Sequence, residues 1–170
     1  TFELKSNTCG QNYEDAIRQL KFERDYKTRL LKFKAGCLAH FAMDLNEVYM
    51  CTNLKGKSSF FLPFNKGCGV GIHSGKGNPH NENGINVSYM WEDILKKDTV
   101  LYLIDKIIFL QKETKKDPDT GKRVTKETLI FPRYHQFNAV RKLVADVAEH
   151  HSEKNYLIKH SAGSGKTNTI

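Results

Sequence analysis

Cysteine is scarce in this chain, and the few present fall in no useful pattern. Cys9, Cys37, Cys51 and Cys68 stand 28, 14 and 17 residues apart. Neither a zinc site nor a compact disulfide framework has that spacing, so free thiols in a reducing cytoplasm are expected. Long apolar runs are lacking too. None approaches the ~18 residues that a membrane span needs, and no membrane partner is expected. The opening residues, Thr1-Phe2-Glu3-Leu4-Lys5, have neither Met nor a basic-then-apolar signal pattern. They read as the middle of a strand, so the chain is expected to begin inside a domain. No internal repeat is found. The glycines of Gly67-Cys68-Gly69-Val70-Gly71 lack the spacing of a dinucleotide-binding fingerprint, and no helix pattern follows them directly.

Positive charge is what the chain has in excess. Its 170 residues hold 27 Lys and Arg against 19 Asp and Glu, a net +8 with a pI of about 9.3. Lys and Arg gain free energy by displacing counterions from phosphates, so this balance leans toward a nucleic-acid partner over a merely well-solvated surface.

The local patterns alternate. Phe2 to Lys5 fits a strand. Asn12, with Asp15 three residues on, marks a helix start. Tyr13, Ile17 and Leu20 then recur at helical spacing, with Arg18, Lys21 and Arg24 on a basic face. Leu38 to Met43, Val48 to Thr52 and Ser58 to Leu62 read as strands with turns between them. Strand, helix and antiparallel meander make an α/β layer pattern. Residues 65–87, rich in Gly and Asn, are too long for a simple turn and read as a functional loop or connection. Ser88 to Lys96 and Asp98 to Gln111 are expected as helices, the second apolar at Val100, Leu101, Ile104, Ile107 and Ile108. Residues 112–126 read as a charged, turn-rich segment. Phe131-Pro132 opens a helix with Tyr134, Phe137, Val140, Leu143, Val144 and Val147 on one face. Tyr156-Leu157-Ile158 is expected as a short buried strand.

That strand leads into His160-Ser-Ala-Gly163-Ser164-Gly165-Lys166-Thr167. Backbone N–H groups in such a loop wrap nucleotide phosphates, and glycines allow the close approach. Lys166 would reach the β- and γ-phosphates, and the Thr167 hydroxyl would ligate Mg²⁺. The strict pattern has Gly where His160 stands. Thirty residues upstream, Phe131-Pro132-Arg133-Tyr134-His135-Gln136, with Arg133 and Gln136, resembles the Q-motif of superfamily 2 helicases and translocases, in which a Gln amide both donates to and accepts from an adenine edge.

A second constellation lies at the start. Glu3 and Lys5 alternate on a strand and so face one side. A carboxylate and an ammonium can there share one Mg²⁺ site. Glu3 would hold the metal, and Lys5 would orient water or stabilise charge on a phosphate. Gln19 lies on the following helix.

Taken together, these motifs and the strings FELKSNTCGQNYEDAIRQLK, HFAMDLNEVYM, FLPFNKG, FPRYHQFNAVRKLV and HSAGSGKT resemble the restriction (motor) subunit of Type I restriction-modification enzymes. The resemblance covers nearly the whole chain. It implies the second half of a PD-(D/E)xK nuclease core over residues 1–66, a connecting region over 67–125, and the truncated start of a RecA-like superfamily 2 motor lobe over 126–170. Glu3 and Lys5 match the nuclease core. Gln19 stands where related nucleases begin a Q-x-x-x-Y motif, but Glu23 replaces the Tyr and Tyr26 is out of register. Gln136 matches the adenine reader, and Gly163, Ser164, Gly165, Lys166 and Thr167 match the phosphate loop. The resemblance further implies ATP and Mg²⁺ as cofactors, double-stranded DNA as substrate, and specificity and modification (methyltransferase) subunits as partners. The first catalytic Asp and the later motor motifs are absent from this stretch. A superfamily 2 helicase or translocase without a live nuclease stays open as an alternative, as does a DNA-binding scaffold with a vestigial nucleotide loop.

Overall fold

The computed structural model describes residues 1–68, 76–118, 120–151 and 154–159, together with Gly165. The architecture is mixed α/β. One sheet runs in the order β1 (Phe2–Leu4), β2 (His40–Met43), β3 (Val48–Cys51), β4 (Leu62–Pro63). β1 pairs parallel to β2, with Phe2 opposite Phe41 and Leu4 opposite Met43. The other two pairings are antiparallel. A hairpin cannot close a parallel pair, so the chain crosses over one face of the sheet through α1 (Tyr13–Phe22).

Local chemistry starts that helix where the sequence says it should. The Asn12 side chain accepts from the amides of Glu14 (2.8 Å) and Asp15 (3.3 Å), and the Asp15 carboxylate accepts from the Asn12 amide (3.1 Å). This reciprocal cap satisfies N–H groups that have no partner within the helix.

Two apolar layers cover the sheet. Ala16 and Leu20 of α1 pack on Ala42, Cys51 and Leu54. On the other face, Phe41, Met43, Val48 and Met50 meet Phe64, Met90, Ile94, Leu103 and Phe137. All four residues of β2 are therefore buried, the pattern of a strand covered on both faces. Phe64 and Phe137 are wholly buried, and edge-on ring contacts join Phe41, Phe64, Phe131 and Tyr134. Truncating either buried Phe to Ala would cost about 3–5 kcal/mol.

Four local expectations are corrected. First, residues 109–130 are a hairpin of β5 (Phe109–Lys116) and β6 (Arg123–Ile130), paired from Phe109↔Ile130 to Lys116↔Arg123. The strands are mostly exposed and charged on both faces, so the alternation that signals a strand is missing. Cross-strand partners such as Lys112–Glu127 and Thr114–Thr125 hold the register instead. Second, the helix expected over 98–111 is α2 (Lys97–Tyr102) running into a π-type turn, Leu103–Ile107, with Ile108 N bonded to Leu103 O. The wider winding shifts the phase of the apolar face. Leu103 enters the core, while Leu101 and Ile104 are about half exposed. Third, the Ser58–Leu62 run yields strand only at Leu62–Pro63. Fourth, Tyr156-Leu157-Ile158 forms no strand among the described residues, and Leu157 is 93% exposed. An apolar run becomes a strand only when a neighbour supplies the ladder. The last helix, α3 (Tyr134–His150), starts as expected after Phe131-Pro132, but only its first turn is buried; Val144 and Val147 are exposed.

Candidate functional site

Alternation along β1 sends Phe2 to one face, where it stacks on Phe41 at 5.0 Å. Glu3 and Lys5 go to the other, beneath α1. The Lys5 ammonium donates to Gln19 Oε1 at 2.5 Å and lies 3.9 Å from Glu3 Oε1. Sequence-distant Gln19 thus joins Glu3 and Lys5 in one cluster, because the crossover lays α1 across β1. The Glu3 and Lys5 side chains are 13% and 14% exposed, enough to be reached and dry enough for charges to be felt.

One member of the cluster was not foreseen. Arg24 donates to Glu3 Oε2 through Nη2 at 3.0 Å and Nε at 3.3 Å. It follows the end of α1, and a turn rather than a helical spacing brings it back, so no sequence period predicts the contact. Glu3 therefore carries two cationic partners. A metal ion held by both oxygens of this carboxylate would displace Arg24 from Oε2. Glu3 is also one carboxylate alone: no group of three His, Cys, Asp or Glu among the described residues could hold a metal ion. The other edge of β1 has no strand partner among the described residues.

His40 lies two residues before Ala42 on the same face of β2, and its Nδ1 is 2.8 Å from Thr1 Oγ1. Burial, and then the positive Thr1 amino group, lower its pKa to about 4, so the ring is neutral near pH 7.

A second candidate site surrounds the start of α3. Gln136 is buried. Its Oε1 accepts from the Arg133 amide at 2.8 Å and its Nε2 donates to the Gly165 carbonyl at 2.7 Å. Arg133 Nε is a buried donor with no hydrogen-bond partner among the described residues. These residues line a cavity of about 450 Å³ between the β3–β4 region and β6, with Phe60, Phe131 and Lys55 in its wall. Gly165 has φ +80°, and a Cβ there would stand 2.6 Å from Gln136 Nε2, so only glycine fits the contact. Gly163, Ser164, Lys166 and Thr167 lie outside the described residues.

Comparison with known proteins gives a single strand of information. No family model matches the chain, and no solved structure does. Over 103 residues the chain is 31% identical to the "Putative type I restriction enzyme MjaVIIIP endonuclease subunit" of Methanocaldococcus jannaschii. The match covers 53% of this chain and 9% of that protein, so the chain spans less than a tenth of its curated relative. The similarity supports a relationship to restriction enzymes. No described helix is long and apolar enough to cross a membrane.

Proposed function

We propose that this chain belongs to an ATP-dependent restriction endonuclease subunit of the Type I kind, joining part of a Mg²⁺-dependent nuclease to the start of a DNA motor. The observation that carries the proposal is the Glu3–Lys5–Gln19 cluster. A carboxylate, an ammonium and an amide from two elements meet on one face, as phosphodiester hydrolysis requires for holding a metal and steadying phosphate charge. Glu3 provides one metal ligand, and the reading requires a second carboxylate on a strand paired to the open edge of β1. Mg²⁺, when bound, would polarise the phosphate and activate water. Lys5, held by Gln19, would stay aimed at the charge that develops.

The motor half rests on Gln136 and Arg133. The cavity beside them has room for a purine, and Arg133 Nε, without a partner among the described residues, offers a donor to it. The Gln136–Gly165 bond would couple the base pocket to the phosphate loop, where Lys166 and Thr167 would meet the γ-phosphate and its Mg²⁺. Double-stranded DNA, and specificity and modification subunits in the cytoplasm, complete the proposal. The similarity to a restriction-enzyme endonuclease subunit supports it.

The test is a separation of activities in the intact subunit assembled with its partners. Glu3→Ala and Lys5→Ala should abolish cleavage of plasmid DNA while DNA-stimulated ATP hydrolysis continues. Lys166→Ala should abolish ATP hydrolysis. Cleavage that survives Glu3→Ala would leave a translocase with an inert nuclease core, a reading that the Arg24 grip on Glu3 favours.

A further inference from the structure

The chain's excess charge is not spread evenly. Residues 24–37, 52–58 and 109–130 together hold 13 Lys and Arg against five Asp and Glu. Their net +8 equals that of the whole chain, so everything else is neutral in sum. The three segments are far apart in sequence, yet they converge. The turn-rich stretch after α1, the β3–β4 loop and strand β6 form the walls of one open groove of about 830 Å³. Lys27, Lys32, Lys55 and Lys126 line it, with Tyr26 and Phe33 between them.

The pairing inside the groove sharpens its sign. Glu127 is the acid in its lining. Ion pairs to Lys34 and Lys112 neutralise it and hold its carboxyl below the usual range. The four lining lysines are exposed, and among the described residues none has an ion-pair partner. Lysines needed only for solubility would be scattered; these face one another across a cleft whose single acid is already occupied.

We infer that this groove is a binding site for the sugar–phosphate backbone of DNA, distinct from the Glu3 cluster and sharing Lys55 and Lys126 with the wall of the cavity beside Gln136. The repeating negative charge of a phosphodiester strand matches lysines on both walls. The groove has room for a short run of backbone, and Tyr26 and Phe33 offer apolar surface to sugars. Arg24, two residues before Tyr26 in the chain, reaches the Glu3 carboxylate, so the segment that walls the groove starts at the candidate nuclease cluster. A strand held in the groove is thereby led to the candidate nuclease cluster. The choice of DNA rests on the function proposed above; the polyanion preference rests on the groove itself.

The experiment measures equilibrium binding of a fluorescent DNA duplex to the full chain by anisotropy across a salt series, with chelator and without ATP. The variant Lys32→Gln/Lys55→Gln/Lys126→Gln removes groove charge from exposed side chains that have no ion pair among the described residues. Lys96→Gln/Lys97→Gln/Lys142→Gln removes the same charge elsewhere. The groove variant should bind about tenfold or more weakly, and its log–log salt slope should fall by about 2–3, while the control stays near the parent chain. Equal losses in both variants, or an unchanged slope in the groove variant, would overturn the inference. Because chelator and absence of ATP silence both proposed activities, this result is independent of theirs. Groove binding retained in a Glu3→Ala chain, with cleavage unaffected by that change, would sink the nuclease reading and leave the groove standing.

Discussion

Asp44 offers the sharpest test of how the α1 face is held together. It is 5% exposed and closes the β2–β3 turn. Its Oδ1 accepts from the amides of Asn46 (2.7 Å) and Glu47 (2.8 Å). Its Oδ2 accepts from the amide of Tyr13 (3.1 Å) and, at 3.4 Å, from the Asn7 side chain. Tyr13 is the first residue of α1, so one carboxylate pins the crossover helix to the sheet. Asp44→Ala removes three bonds of good length and one long one. Water can reach the turn amide of exposed Asn46, but the Tyr13 amide would lose a charged acceptor worth about 1.5–3 kcal/mol. The expected loss of stability is about 2–4 kcal/mol. Asp44→Asn keeps a carbonyl oxygen for the turn and sets an amide against the Tyr13 N–H, and should lose about 1–2 kcal/mol. Urea unfolding followed by Trp91 fluorescence and by circular dichroism measures both. With a slope of about 2 kcal/mol/M, the Ala variant's midpoint should fall by about 1–2 M. A midpoint shift worth less than roughly 0.5 kcal/mol would show that the carboxylate does not anchor the helix.

Two further outcomes are expected. His40 has a folded pKa of about 4 against an ordinary 6.5, so on acidification the unfolded chain takes up the proton first. Its stabilising contribution is full above pH 6.5, is lost as pH falls toward 4, and levels off below; His40→Asn should remove a slope worth about 3 kcal/mol over that window. An unchanged pH profile in the variant would assign the slope to other groups. At the second site, Gly165→Ala should weaken ATP binding about tenfold and Gln136→Ala at least as much, and the double variant should be no worse than Gln136→Ala, since both lose the Gln136–Gly165 bond while only Gln136→Ala also loses the Arg133 one. Additive losses in calorimetric titration would refute the coupling.

The elements legible in the sequence are those whose signal is local. The Asn12–Asp15 cap announces α1, and the turn around Asp44 announces the β2–β3 meander. The alternation of Glu3 and Lys5 foretold that they share a face. That Gln19 meets them is a consequence of the crossover. The hairpin at 109–130 was hidden because its strands are solvated on both sides, so hydropathy carries no period there. Leu103 replaced Leu101 and Ile104 in the core because a π-type turn has no sequence signature in apolar spacing. Arg24 was read as one charge on a basic helix face. Its partnership with Glu3 depends on where a turn sends the chain, and spacing alone does not encode that. The groove was invisible for the same reason: its lysines belong to three separate segments, each unremarkable alone.

The parallel pairing of β1 with β2 also sets an order of assembly. Phe2 and Phe41 are 39 positions apart, whereas the innermost pair of the β5–β6 hairpin, Lys116 and Arg123, is separated by seven. Closing the longer loop costs roughly 1.5 kcal/mol more chain entropy, and nothing rewards it until the crossover helix has docked. The hairpin and the β2–β3 turn can close early from near neighbours. Glu3 and Lys5 are expected to reach their places later. A nascent or partly unfolded chain is therefore expected to hold its basic hairpin before the Glu3–Lys5–Gln19 cluster, whereas the groove, whose other walls lie in the crossover and the β3–β4 loop, completes only with the sheet.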